Sequence, residues 1–226
     1  MTLQPFVWPV MLRVQGRTVV VIGDNPSVWD RATTLVHYGA RVRVIFTGER
    51  PAPPLPTIQT GRMDVHFRPF QPADLDDAWL VVTTLGPGPE NGRIYREARA
   101  RRVLCYAMDD PEHSDLILPA VARCGPITIT VSTAGASPYM AQVLRDRLAT
   151  AITERDRRLV EFLGKIRSTV SARIPEFSAR RRLYRAVVAS DIPDLLMTGR
   201  ERDAWQRLHD LIAHFAHGEA RHAAHG

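Results

Sequence analysis

Apolar and polar positions follow two alternating periods along the first half of the chain. Thr18 to Gly23 (TVVVIG), Arg41 to Phe46 (RVRVIF), Trp79 to Thr84 (WLVVTT) and Val103 to Met108 are short apolar runs rich in β-branched residues, as expected of strands buried on both faces. Between the first two, Pro26 to Tyr38 carries apolar residues on one helical face. Asn25 is a candidate N-cap, Pro26 suits the first helical position, and Gly39 is a C-terminal stop. A proline-rich surface loop, Pro51 to Pro56, leads to a short strand near Val65 to Arg68, and a helix is expected from about Glu90 to Arg101. Alternation of this kind predicts an α/β fold with four or five mostly parallel strands in a doubly wound sheet.

The pattern changes after Asp115. Ile127 to Ser132 (ITITVS) alternates as a strand, and Ser137 caps a helix expected to run to about Glu154. Beyond it, Glu161 to Ile174, Ser178 to Val188 and Glu201 to His217 have apolar residues at three- and four-residue spacing, with Pro175 and Ile192-Pro193 as punctuation. A helical C-terminal domain follows from this.

At 226 residues and 45% hydrophobic content the chain can build a real core. No run approaches the 18 or more apolar residues of a membrane span, and Met1 to Arg13 lacks the basic-then-apolar order of a signal peptide. A cytoplasmic protein without a membrane partner is the expectation. Cys105 and Cys124 lie in apolar surroundings without CxxC spacing, which favours buried reduced thiols over a disulfide or a metal pair. A net charge of +6 raises the question of nucleic acid. The distribution argues against it: Lys165 is the only lysine, and the densest cluster, Arg180-Arg181-Arg182 with Arg185, has acids nearby and lacks a series of interleaved aromatics for base stacking, with Tyr184 alone among its arginines. Arginine's planar fork suits carboxylates equally well.

Candidate chemistry concentrates at two strand ends. Val103 to Met108 runs directly into Asp109 and Asp110, and ligands in open α/β sheets bind beyond the carboxyl ends of the strands, so an acid there can act on a proton. Asp109-Asp110-Pro111-Glu112 also satisfies the backbone preferences of a plain turn. The strand ending at Gly23 opens a helix, the place where a dinucleotide pyrophosphate meets N–H groups and the helix dipole. Here the six positions read Gly23-Asp24-Asn25-Pro26-Ser27-Val28 in place of G-x-G-x-x-G. Pro26 removes a donor, and Asp24 adds a negative charge; two unit charges about 4 Å apart repel by roughly 4 kcal/mol at an effective dielectric near 20. His209, His214, His217, His222 and His225 enrich the tail, where His214 and His217 share a helical face, but no acid or cysteine completes a ligand set and no metal site is assigned.

From Phe6 to about Asp191 the chain resembles the precorrin-2 dehydrogenase and sirohydrochlorin ferrochelatase family, which includes the siroheme synthase N-terminal module. The likeness is carried by Leu12 to Arg17, Tyr38-Gly39-Ala40 and Asn91 to Ala98. Its most specific parts are the block from Asp109 to Pro119, the block Val131-Ser132-Thr133-Ala134-Gly135-Ala136-Ser137-Pro138, and the helix with Arg180-Arg181-Arg182-Leu183-Tyr184.

The resemblance implies a Rossmann-like dinucleotide-binding domain over 1–114, a dimerisation segment over 115–150 and a helical domain over 151–226. It implies a homodimer, a polycarboxylate tetrapyrrole substrate, NAD as cofactor and Fe2+ as a possible substrate metal. Asp109 matches the family's catalytic aspartate. Ser132, Thr133, Arg180 and Arg181 match substrate-side positions, and Gly23, Asp24, Asn25, Pro26, Ser27, Thr47, Thr84 and Leu85 correspond to the cofactor side.

Departures cluster around the dinucleotide. Relatives carry three glycines where this chain has Gly23-Asp24-Asn25, Ala-Thr-Asp where it has Thr84-Leu85-Gly86, and Asn where it has Tyr106. Two activities are therefore expected as alternatives: NAD-dependent oxidation of precorrin-2 to sirohydrochlorin, with or without iron insertion, or a tetrapyrrole-binding chelatase or regulatory relative that has lost the redox step. Choice between NAD and NADP turns on the segment after Phe46, where Glu49 is the candidate ribose-contacting acid.

Overall fold

A computed structural model describes residues 7–48 and 61–223. The Pro51 to Pro56 loop, Glu49 and His225 lie outside the described residues. The chain divides into two compact units, one running to Leu118 and the other from Pro119 onward.

The first unit is a five-stranded sheet in the order β3-β2-β1-β4-β5, with every pair parallel: β1 Thr18–Gly23, β2 Arg41–Phe46, β3 Met63–Phe67, β4 Leu80–Thr83 and β5 Leu104–Ala107. Alternate residues of β1 serve opposite faces. Val19 and Val21 join Val28, Trp29 and Ala32 of helix α1 (Ser27–His37), while Val20 and Ile22 pack with Ile94 and Ala98 of helix α2 (Pro89–Ala100). Both faces being covered is why β1 reads as an unbroken apolar run. Gly39, at φ +84°, ends α1 as expected; the Ala40 N–H reaches the Leu35 carbonyl across the reversal.

Ion pairs fasten the connection after β3. Arg68 grips the buried Asp74 carboxylate, which also accepts from the Gln71 N–H at 2.8 Å, and Arg43 of β2 donates to Asp77 at 2.7 Å. Burial alone would raise the Asp74 carboxyl, but the Arg68 and Gln71 hydrogen bonds more than offset it and its pKa falls below the ordinary value.

The second unit opens with an antiparallel hairpin, β6 Ala120–Cys124 and β7 Ile127–Val131, backed by helix α3 (Pro138–Thr150). Ser137 caps α3 by accepting the Met140 N–H at 3.2 Å, as the pattern predicts. The helix stops at Thr150, short of Glu154, because Thr153 and Asp156 form a capping box that starts a new helix, α4 (Glu154–Arg173). Helices α5 (Phe177–Ala189), α6 (Ile192–Met197) and α7 (Glu201–Ala223) follow. Phe162, Ile166, Leu183, Val187, Leu208 and Ile212 form the centre of their core. Pro193 sits in the first turn of α6 and so begins a helix where a break was expected. Among the described residues no helix is long and apolar enough to cross a membrane.

Candidate functional site

The strand order reverses direction between β1 and β4, and in such sheets the crevice at that point, beyond the carboxyl ends, receives the ligand. Gly23, Asp24, Asn25, Pro26, Ser27, Thr47, Thr84, Leu85 and Asp109 all lie at those carboxyl ends. Ser132, Thr133, Arg180 and Arg181 belong to the second unit.

β5 ends in two carboxylates that face different environments. Asp109 is exposed and takes φ +58°, a left-handed conformation that costs a residue with a Cβ about 1–2 kcal/mol. Hydrogen bonds on either side hold it there: the Met108 N–H to the Thr83 carbonyl at 2.9 Å and the Asp110 N–H to the Ala107 carbonyl at 3.3 Å. Asp110 is 5% exposed, and its Oδ2 is 2.8 Å from His113 Nδ1 and accepts from Asn91 Nδ2 at 3.2 Å. Burial raises that carboxyl, and the His113 and Asn91 hydrogen bonds outweigh it, so the group stays ionised to below the usual carboxylate range. Asn91 also donates to the Gly86 carbonyl at 2.6 Å and accepts from the Thr83 hydroxyl at 2.7 Å, tying the loop after β4 to the end of β5. Sequence reasoning placed Asn91 in a matching segment without seeing this role, which depends on contacts with residues far along the chain.

Tyr106 stands behind Asp109 on the α1 face of β5. Burial pushes its hydroxyl pKa upward, the Arg31 guanidinium of α1 opposes that shift, and the Asp109 carboxylate adds to it. Arg31 and Asp109 therefore act on the same hydroxyl from opposite signs, a grouping that the substitution of Tyr for Asn did not announce.

Next to the β1 turn, a cavity of about 520 Å³ opens between the ends of β2, β3 and β4, lined by Thr47, Phe70, Leu85, Gly86, Asn91 and Arg93 among others. Arg93 lies over the Phe70 ring at 4.9 Å and is held by Glu90 at 2.6 Å. An apolar ring, a loop with a glycine and a few polar groups suit a nucleoside.

The pyrophosphate end is different. Asn25 Oδ1 accepts the Ser27 N–H at 3.0 Å, the Val28 N–H goes to the Asn25 carbonyl and the Trp29 N–H to the Pro26 carbonyl. Pro26 has no donor. The amide of Asn25 reaches across the crevice to the Thr84 carbonyl at 2.7 Å and to Asp24 at 3.1 Å. Thus the cavity has room for a nucleoside, while at the turn Asn25 occupies the Ser27 N–H that a pyrophosphate would use. Gly23 has its own packing reason: a Cβ there would lie 2.0 Å from Thr84 Oγ1 and 2.6 Å from Val28. Among the described residues, no group hydrogen-bonds that buried Thr84 hydroxyl.

In the second unit the Thr133 hydroxyl donates to the Ser137 carbonyl at 3.0 Å and accepts its N–H at 3.1 Å, while Ser132 accepts from the Ala134 N–H. Arg180 donates to the Ile174 carbonyl at 3.0 Å and to that of Pro175, bracing the turn between α4 and α5; Arg181 is exposed.

A parallel sheet in this order, with its crevice between β1 and β4, gives the first unit a Rossmann-type fold. Comparison with known proteins takes the assignment further. Three family models match in succession: an NAD(P)-binding domain over residues 10–120, the sirohaem biosynthesis protein central region over 125–151 and the sirohaem synthase dimerisation region over 155–212. Siroheme synthase 2 of Pectobacterium atrosepticum is 31% identical over 207 residues, covering 90% of this chain and 44% of that protein, and the siroheme synthase of Photobacterium profundum is 28% identical over 208 residues, 90% and 43%. The structure of SirC, precorrin-2 dehydrogenase, shares the fold with a TM-score of 0.68 at 18% identity, covering 90% of this chain and 100% of that one. Over nearly its whole length the chain is thus similar to part of the siroheme synthases. It spans less than half the length of the siroheme synthases it matches.

Proposed function

We propose that this chain serves siroheme biosynthesis in the cytoplasm as a precorrin-2 dehydrogenase, converting precorrin-2 to sirohydrochlorin, with Fe2+ insertion into the product as a second activity. The observation that carries the reading is Asp109, exposed at the tip of β5 beside the crevice of a dinucleotide-binding fold whose family models run in siroheme order along the chain. The oxidation removes a hydride and a proton from the macrocycle. NAD, when bound, supplies the hydride acceptor. Asp109 takes the proton, directly within about 3 Å or through one water. Asp110 cannot share that work, because its carboxylate is engaged by His113 and Asn91. In iron insertion the same Asp109 carboxylate receives pyrrole N–H protons as the metal enters.

The work divides among a dinucleotide domain over 1–114, a dimerisation segment over 115–150 and a helical domain over 151–226. Support for a homodimer comes from the hairpin and α3, in which Ala141 is the only fully buried apolar residue, with Tyr139, Met140, Leu148 and Val121 exposed. A lone two-stranded hairpin is marginal in water, so a second copy supplies the missing cover. Thr133, Ser132, Arg180 and Arg181 are the substrate-side groups, the arginines matched to the carboxylates of the tetrapyrrole.

Anaerobic incubation with precorrin-2 and NAD+, followed by absorption spectroscopy, tests the proposal with Asp109→Ala alongside. Conversion that is undiminished in the variant removes Asp109 as the base.

The state of Asn25 favours one second reading, a tetrapyrrole-binding chelatase or regulatory relative without redox activity. It predicts iron insertion, or tetrapyrrole binding alone, with no response to NAD+.

A further inference from the structure

The turn after β1 is closed by a single side chain. We propose that Asn25 is a latch which a dinucleotide has to displace, so that this residue sets how tightly the chain holds NAD. The inference rests on the proposed dinucleotide reading of the same crevice.

The latch has two ends. Its carbonyl oxygen occupies the Ser27 N–H, the donor that α1 would otherwise offer to a phosphate oxygen, and its amide nitrogen is anchored 2.7 Å away on the Thr84 carbonyl. Thr84 is a firm anchor because its own N–H continues the sheet ladder to the Ile22 carbonyl at 2.9 Å. β1 and β4 are adjacent strands, so the side chain bridges the two lips of the crevice where a pyrophosphate would lie.

The backbone around it is closely packed. On the β2 side Gly48 lies so close that a Cβ would come within 2.6 Å of the Asp24 carbonyl oxygen, and the Thr47 N–H is bonded to the Gly23 carbonyl at 2.9 Å. Beneath, Gly23 is sealed by Thr84 and Val28. Rotation of the Asn25 side chain breaks both hydrogen bonds, freeing the Ser27 N–H and opening the passage together.

Titration of the full chain with NAD+ by calorimetry, beside Asn25→Gly and Asn25→Ser, tests the proposal. Serine keeps an oxygen for the Ser27 N–H but is too short for Thr84, so it separates bridging from capping and guards against a variant that fails to fold. The expected result is about tenfold tighter NAD+ binding in Asn25→Gly, a smaller gain in Asn25→Ser, and a lower melting temperature for both without ligand. Equal or weaker binding in both variants overturns the latch and leaves the dinucleotide reading standing. No binding by any of the three at millimolar NAD+ overturns the latch together with that reading.

Discussion

The turns after β1 and β5 are built from almost the same residues, Asp24-Asn25-Pro26 and Asp109-Asp110-Pro111, and the comparison separates a closed lip from an open one. In each, the first acid is exposed, the second side chain turns inward to hydrogen-bond toward the β4 connection, and proline leads into a helical turn. At β1 the inward group reaches from the turn to the Thr84 carbonyl. At β5 it lies below, fixed by Asn91 and His113, and its fixation leaves Asp109 projecting at φ +58° with its carboxylate available. One carboxamide therefore blocks where one carboxylate supports, although the local sequences read alike.

The largest effect expected is at the open lip. Asp109→Ala lowers precorrin-2 oxidation by about 10²–10⁴-fold, the usual worth of a positioned base, and leaves the melting temperature nearly unchanged because the side chain is exposed; stopped-flow absorption and thermal melts check the two halves. At the closed lip Gly23→Ala forces a Cβ against Thr84 and Val28, which costs about 1–3 kcal/mol by overpacking and is read as a lower denaturant midpoint. Asp110→Ala leaves the buried Asn91 amide short of an acceptor and costs a similar or smaller amount, about 1–2 kcal/mol in the same assay.

Acid sharpens the contrast. Folding favours ionised Asp110, whose native pKa lies below its unfolded value, so its contribution is fully present above the unfolded carboxylate pKa and disappears as pH falls through the lowered native one. Between neutral pH and that acidic range, Asp110→Asn is expected to lose less stability than the parent chain, measured as the change in denaturant midpoint with pH. The smallest effect belongs to Arg181→Ala, an exposed position, which is expected to raise KM for the tetrapyrrole severalfold with no shift in melting temperature, whereas Arg180→Ala lowers it by releasing the Ile174 and Pro175 carbonyls.

Much of the first unit was legible because buried parallel strands and a glycine-terminated helix leave strong local patterns; β1, α1, β2 and the Gly39 stop fall where periodicity puts them. The β6 strand was not, since Ala120 to Cys124 carries little β-branched character and gains its pairing only opposite Ile127 to Val131. The α4 start hid inside an otherwise helical run, because its capping box uses Asp156 where Glu or Gln is the familiar partner. Within the site, Asp109 was readable from its place at a strand end. Asn25 was readable only as a cap, for its second hydrogen bond spans 59 positions to Thr84 and has no local signature.

The two cysteines give the molecule a built-in reporter. Burial, with Asp115 and Asp110 adding, pushes the Cys105 thiol up to about 12 at the centre of β5, so in the native state it is withheld from alkylating reagents and oxidants. Its labelling requires the sheet to open, whereas Cys124 sits half-buried at the end of β6 in the other unit. Timed thiol trapping followed by mass spectrometry thus follows the opening of the first unit at Cys105, with the more accessible Cys124 as an internal comparison, without introducing any probe.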